Sequence, residues 1–179
     1  MRLLCVVDMQ KDFVTGVLGT PEAKAIVPNV REKLKAYQAE LVVFTHDIHF
    51  MFEDVGISID KTIEEKTLPP HCIYDTDGCK MICDLLAFRY GNTYSKNTFM
   101  MLDLPEIIQE HVDTLNVTLE SIELVGLCTD ICVLSNALLL RSSFPNIPII
   151  VDSNCCAGTD KESHEMALKI MRKNLIEVT

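Results

Sequence analysis

Apolar and polar positions fall along this chain in blocks of two kinds that take turns. Residues 3–7 (Leu3-Leu4-Cys5-Val6-Val7) and 41–45 (Leu41-Val42-Val43-Phe44-Thr45) are short apolar runs, the pattern of strands buried on both faces. Residues 120–126 and 147–152 also read as strands, and 175–178 as a short final strand. Residues 27–39 carry helical spacing, with Val30, Leu34 and Tyr37 on one face. Residues 79–88, 104–112, 129–141 and 161–173 also read as helices. Strand and helix alternating in this way predict an α/β fold of three αβα layers, with a mostly parallel central sheet. No repeat, low-complexity segment or linker interrupts the pattern, so residues 1–179 are expected to form a single domain.

In such sheets ligands bind beyond the carboxyl ends of the strands. Asp8 follows the first apolar run, Asp47 follows the second, and the turn from Cys128 to Cys132 follows a later one. These polar groups are therefore expected to converge on one edge.

Composition narrows the partners. The chain is 48% hydrophobic and 23% charged, enough to build a full core. Its formal net charge of −10 argues against nucleic acid or an anionic membrane as partner. No run approaches the roughly 20 apolar residues of a membrane span. The apolar start is too short for an export signal and is interrupted by Asp8. The eight cysteines are accordingly read as reduced thiols of a cytoplasmic protein, with Cys155-Cys156 a buried pair. His46 and His111 are expected at the surface, and His164 inside the last helix without a role.

Cys132 would lie near a helix start, where the dipole favours a thiolate and backbone N–H groups can hold an oxyanion. A thiol needs a base, and Asp8, at the end of a buried strand, is costly unless paired or used. Lys96, in Tyr94-Ser95-Lys96-Asn97-Thr98-Phe99, would stabilise both charges. Taken singly, each also fits an ordinary role: a buried thiol, a turn former, a solvated lysine.

Together they resemble the isochorismatase-like cysteine hydrolase family along nearly the whole chain. The matching segments are Val6-Val7-Asp8-Met9-Gln10-Lys11-Asp12-Phe13, Gly16-Val17-Leu18, Ala25-Ile26-Val27-Pro28, Lys96 and, most specifically, Thr129-Asp130-Ile131-Cys132-Val133. The resemblance implies a Rossmann-like hydrolase fold with Cys132 as nucleophile, Asp8 as proton acceptor and Lys96 beside them. It also implies a cis peptide between Leu127 and Cys128, with the backbone N–H groups of Cys128 and Cys132 as the oxyanion hole.

Asp47 and His49 are two apart, which on an extended strand end puts both side chains on one face. His71 follows Pro69-Pro70, and Glu64 lies seven residues earlier. Two imidazoles and two carboxylates suit one divalent ion, zinc first, with iron or manganese as alternatives. The segments Phe44-Thr45-His46-Asp47-Ile48-His49 and Glu64-Glu65-Lys66-Thr67-Leu68-Pro69-Pro70-His71 are similar to the metal-binding segments of the nicotinamidase subfamily. That resemblance implies ligation by Asp47, His49 and His71, with Glu64 as a fourth ligand. It implies hydrolysis of nicotinamide to nicotinate and ammonia through a thioester, or of another small amide by the same route. The ion is expected several ångströms from Cys132, leaving room for a substrate ring.

Phe13, Leu68 and Phe99 are the expected substrate-binding walls. Leu68 stands where an aromatic is usual in the subfamily, Phe99 where a tyrosine is common, and Phe50 where a proline often follows the histidine. Residues 51–62 match nothing in the pattern. The implied partner is a small-molecule amide, without nucleic acid or membrane; a homo-oligomer is compatible with this reading. A catalytically silent binding protein on the same fold is the alternative from another class, and the complete Asp8, Lys96 and Cys132 set argues against it.

Overall fold

The computed structural model describes residues 1–37, 41–50, 62–88 and 92–179. Most of the unplaced stretch 51–62, and the end of the helix expected over 27–39, lie outside those residues. Six strands form one sheet: β1 (Arg2–Val7), β2 (Val42–Asp47), β3 (Thr93–Lys96), β4 (Ser121–Leu127), β5 (Ile149–Ala157) and β6 (Glu177–Val178). Their order is β3-β2-β1-β4-β5-β6, and every pairing is parallel. The chain thus starts at the centre, builds outward through β2 and β3, and returns to the other side of β1. The order reverses between β1 and β4, which opens a crevice at their carboxyl ends.

Alternate residues of β1 feed two cores. Leu3, Cys5 and Val7 pack with helices α4 (Leu104–Leu115), α5 (Leu134–Ser143) and α6 (Lys161–Lys173). Leu4 and Val6 pack with α2 (Pro21–Lys35) on the opposite face. Two short helices complete the set, α1 (Lys11–Val14) and α3 (Ile63–Thr67), neither of which is evident in the hydrophobic pattern.

Three expectations need correction. The helix expected to begin at residue 27 begins at Pro21, because Thr20 caps it by accepting the Ala23 N–H and proline is pre-shaped for the first helical position. Pro28 lies inside that helix rather than at its start. The helix expected over 79–88 is reduced to a 3-10 segment at Cys83–Phe88. The residues before it are tied by backbone hydrogen bonds to the chain after β1: Lys11 N–H donates to the Lys80 carbonyl, Asp12 N–H to Gly78, and Ile82 N–H to Met9. Those tertiary hydrogen bonds override the local helical spacing. Finally, β5 runs on to Ala157, so Cys155 and Cys156 lie within it, both buried and unpaired.

Gly126 shapes the end of β4. It has φ of 118°, and a Cβ there would stand 2.1 Å from the Val7 carbonyl oxygen. The register between β4 and β5 also shifts between Leu124 and Gly126. An irregularity of this kind re-aims the strand end, here toward the Cys128–Cys132 turn. Gly126→Ala is expected to destabilise the protein by about 3 kcal/mol or more, since side-chain clash and a disfavoured φ coincide. Urea unfolding measures this, and a loss below about 1 kcal/mol would contradict so close an approach of β1 and β4.

Candidate active site and metal centre

The parallel register puts Asp47, the last residue of β2, opposite Lys96, the last residue of β3. Asp8 follows β1 in a left-handed conformation, with φ of 49°. The Lys96 ammonium lies 2.7 Å from Asp8 Oδ2 and 3.2 Å from Asp47 Oδ1, and it donates to Cys132 Sγ at 3.7 Å. The other oxygen of Asp8 accepts the Thr45 hydroxyl at 2.7 Å. All of these side chains are buried. The structure therefore brings Asp8, Lys96 and Cys132 together, as the sequence predicts, and adds Asp47 to the same cation.

Burial sets the charges. It pushes the Asp8 carboxyl up, against the pull of Lys96. It would lower Lys96, but Asp8, Cys132 and Asp47 outweigh it and keep the ammonium protonated. Burial and then Asp8 hold the Cys132 thiol well above its ordinary value, with Lys96 opposing. This corrects the expectation that a helix start would favour the thiolate. Cys132 sits within a π-helical turn, Thr129–Val133, continuous with α5, and is buried. The peptide between Leu127 and Cys128 is cis, as the family resemblance implies.

Beside this group lie Asp47, His49, Glu64 and His71, whose ligand atoms fall within 4.8 Å of one another. His49 Nε2 is 2.9 Å from Asp47 Oδ2 and 3.8 Å from Glu64 Oε1; His71 Nε2 is 3.5 and 3.7 Å from the same two oxygens. A tetrahedral ion with bonds of about 2.0–2.2 Å has ligand separations of about 3.3–3.6 Å. His71 Nδ1 is held by the Pro69 carbonyl at 2.8 Å, while its Nε2 is buried with no hydrogen-bond partner among the described residues. An imidazole fixed through one nitrogen and bare at the other is in the state of a metal ligand. The residues fit a divalent ion. Without the ion, burial disfavours the proton on His71, but Asp47 and Glu64 outweigh it and raise its pKa to about 10. Asp47 is held well below the usual carboxylate range, because His49, His71 and Lys96 overcome the cost of its burial.

A cavity of about 200 Å³ joins the two groups. Glu64 and His71 of one group and Cys128 and Cys132 of the other all line it. Phe13, Leu68 and Phe99, the expected walls, all line it, together with Leu18, Thr20, Ile131 and Thr159.

Several supporting residues escape sequence reasoning because their role is only visible in three dimensions. Buried Gln10 donates to the Asp47 and Cys79 carbonyls and accepts the Asp47 N–H, clamping that residue's backbone. Asp12 accepts the Cys72 N–H, and so fixes the chain just past His71. Asn136 donates to the Cys132 and Phe99 carbonyls and accepts the Met101 N–H, tying the Cys132 turn to a cavity wall. Of the histidines set aside earlier, His46 differs from expectation, while His164 does lie inside the last helix, α6. His46 is buried, His111 lies 3.4 Å from the Asn92 amide, and His164 Nδ1 meets the Thr129 hydroxyl at 2.8 Å.

The isochorismatase domain model matches residues 2–179. The chain belongs to the isochorismatase family. No curated protein matches it significantly. Among solved structures of similar fold is the pyrazinamidase of Pyrococcus horikoshii in complex with zinc, at 24% identity and a TM-score of 0.77, covering 99% of this chain and 98% of that one. The pyrazinamidase/nicotinamidase of Streptococcus mutans is 25% identical with a TM-score of 0.77, and each chain is covered fully. The N-carbamoylsarcosine amidase of Thermoplasma acidophilum is 22% identical with a TM-score of 0.74, covering 99% of this chain and 95% of that one. These likenesses carry the isochorismatase-like fold. No helix among the described residues is long and apolar enough to cross a membrane.

The donor set generates a binding prediction. Zinc added to chelator-stripped protein is expected to bind one per chain, and Asp47→Ala or His71→Ala to weaken it by at least about 100-fold. Because His71 gains a proton in the ion-free protein, binding at pH 7 must release protons, and affinity must fall as pH falls. Calorimetry in two buffers of different ionisation enthalpy measures the release; none at pH 7 would contradict the donor assignment.

Proposed function

We propose that this isochorismatase-family chain is a cytoplasmic nicotinamidase, hydrolysing nicotinamide to nicotinate and ammonia with Cys132 as nucleophile. The observation that carries the reading is the shared cavity: it is lined by His71 and Glu64 of the donor group and by Cys132, which Lys96 and Asp8 adjoin. A divalent ion, zinc in the first instance, would be held by Asp47, His49, Glu64 and His71 and would supply Lewis acidity toward a pyridine nitrogen. The zinc complex of the similar pyrazinamidase supports that choice. The apolar walls suit a flat ring, and the eight free cysteines suit a reducing compartment.

Asp8 accepts the Cys132 proton while Lys96 keeps the pair charge-balanced. Its raised proton affinity makes it a stronger base than an ordinary aspartate. The thiolate attacks the amide carbon, and the backbone N–H groups of Cys128 and Cys132 receive the oxyanion, each worth about 2.7–4 kcal/mol in comparable sites. Protonated Asp8 then gives its proton to the departing nitrogen, leaving ammonia and a thioester on Cys132. Asp8 next takes a proton from water as the water attacks the thioester, and returns it to the leaving thiolate. A second reading, hydrolysis of another small amide, is favoured by one observation: Leu68 in place of an aromatic wall loosens the demand for a stacked ring. The similarity to N-carbamoylsarcosine amidase agrees with it.

Purified protein is expected to release ammonia from nicotinamide faster than from non-aromatic amides. Cys132→Ala is expected to abolish turnover while retaining metal, and Asp8→Asn to block turnover as well. Mass spectrometry of protein quenched during turnover should locate the acyl group on Cys132. An adduct on Cys128, Cys155 or Cys156, or appreciable activity in Cys132→Ala, would overturn the nucleophile. A preference for a non-aromatic amide would overturn the substrate while leaving the chemistry.

A further inference from the structure

Glu65 stands beside the four-residue donor group without belonging to it, and its two oxygens do different things. Oε2 accepts the Thr62 N–H at 2.7 Å, while the Thr62 hydroxyl accepts the Glu65 N–H at 3.2 Å, a reciprocal cap on α3. Oε1 lies 3.4 Å from His49 Nδ1, a buried nitrogen with no hydrogen-bond partner among the described residues. The opposite nitrogen of the same ring, Nε2, faces Asp47 and Glu64. When Nε2 is given to a cation, Nδ1 must carry the proton, and that N–H needs an acceptor in a buried place. Helix α3 has no buried residue of its own, and Ile63 is exposed. What draws it to the body is charge: Glu64 toward His49 and His71, and Glu65 toward His49.

We infer that Glu65 is a positioning residue for the metal centre. It accepts the His49 Nδ1–H, fixes the tautomer that presents Nε2, and through its second oxygen joins that ring to the helix carrying Glu64. The inference rests on the metal centre proposed above. A residue in this place strengthens the ligand it holds, and its loss typically costs about 10–100-fold in metal affinity.

Two substitutions separate this role from capping. Glu65→Gln keeps the cap, since glutamine serves equally in that motif, but turns an amide N–H₂ toward the His49 N–H. Thr62→Ala removes the cap hydroxyl and leaves the Glu65 carboxylate. Zinc is titrated into chelator-stripped full-length protein, and the visible absorption of the cobalt(II)-loaded protein is recorded. The expected result is wild-type binding at one per chain, a loss of about 10–100-fold in Glu65→Gln with a shifted cobalt spectrum, and at most about threefold loss in Thr62→Ala with an unmoved spectrum. Thermal unfolding of the metal-free variants checks that both fold. Glu65→Gln within twofold of wild type, Thr62→Ala as damaging as Glu65→Gln, or a Glu65→Gln chain that fails to fold would overturn the inference alone. A wild-type chain that binds neither zinc nor cobalt would overturn the metal centre and the inference with it.

Discussion

One buried ammonium, Lys96, allows two carboxylates and a thiol to share the interior of this molecule. A lone buried carboxylate is strongly disfavoured, and stripping the partner from a buried ion pair costs about 3–5 kcal/mol. Here two carboxylates depend on one cation, so the site and the stability of the sheet edge are linked. Asp47 is the seam. One oxygen faces Lys96, and the other faces His49 and His71. Cys132 with its neighbours and the four candidate metal donors are therefore a single charge system rather than two neighbouring sites.

The fold delivers these groups through register. Parallel pairing sets Asp47 beside Lys96 at the ends of β2 and β3. The reversal of strand order between β1 and β4 places Asp8 and the Cys132 turn on either side of one crevice. Gly126 permits the close contact with Val7 that brings β4 to that point. Loops then add what strands cannot. The chain around His71 is pinned by Asp12 and by the carbonyl of Pro69, and Glu64 arrives on a short helix with no buried residue of its own.

β1 and β2 were legible in the sequence because burial on both faces writes continuous apolar runs, as in residues 3–7 and 41–45. The position of Asp8, Asp47 and Cys132 after such runs was enough to place them on one edge. Helix boundaries were less legible: the capping by Thr20 competes with the misleading Pro28, and backbone bonds from Gly78, Lys80 and Ile82 to the chain after β1 leave only the 3-10 segment Cys83–Phe88 of the expected helix. The expectation of a favoured thiolate failed for a related reason. A helix start is visible in sequence, whereas the burial of Cys132 and the nearness of Asp8 are not, and these dominate. Gln10, Asp12 and Asn136 were invisible because each acts on backbone groups brought near only by folding.

The shared charge system is tested most directly by the pH dependence of Cys132 alkylation, followed at the peptide level with and without saturating zinc. The negative charge of Asp47 raises the proton affinity of Cys132, so a divalent cation on Asp47 must lower it. The account predicts that zinc shifts the Cys132 profile to lower pH in the wild type and leaves it unmoved in Asp47→Ala. A wild-type profile identical with and without bound zinc would contradict it.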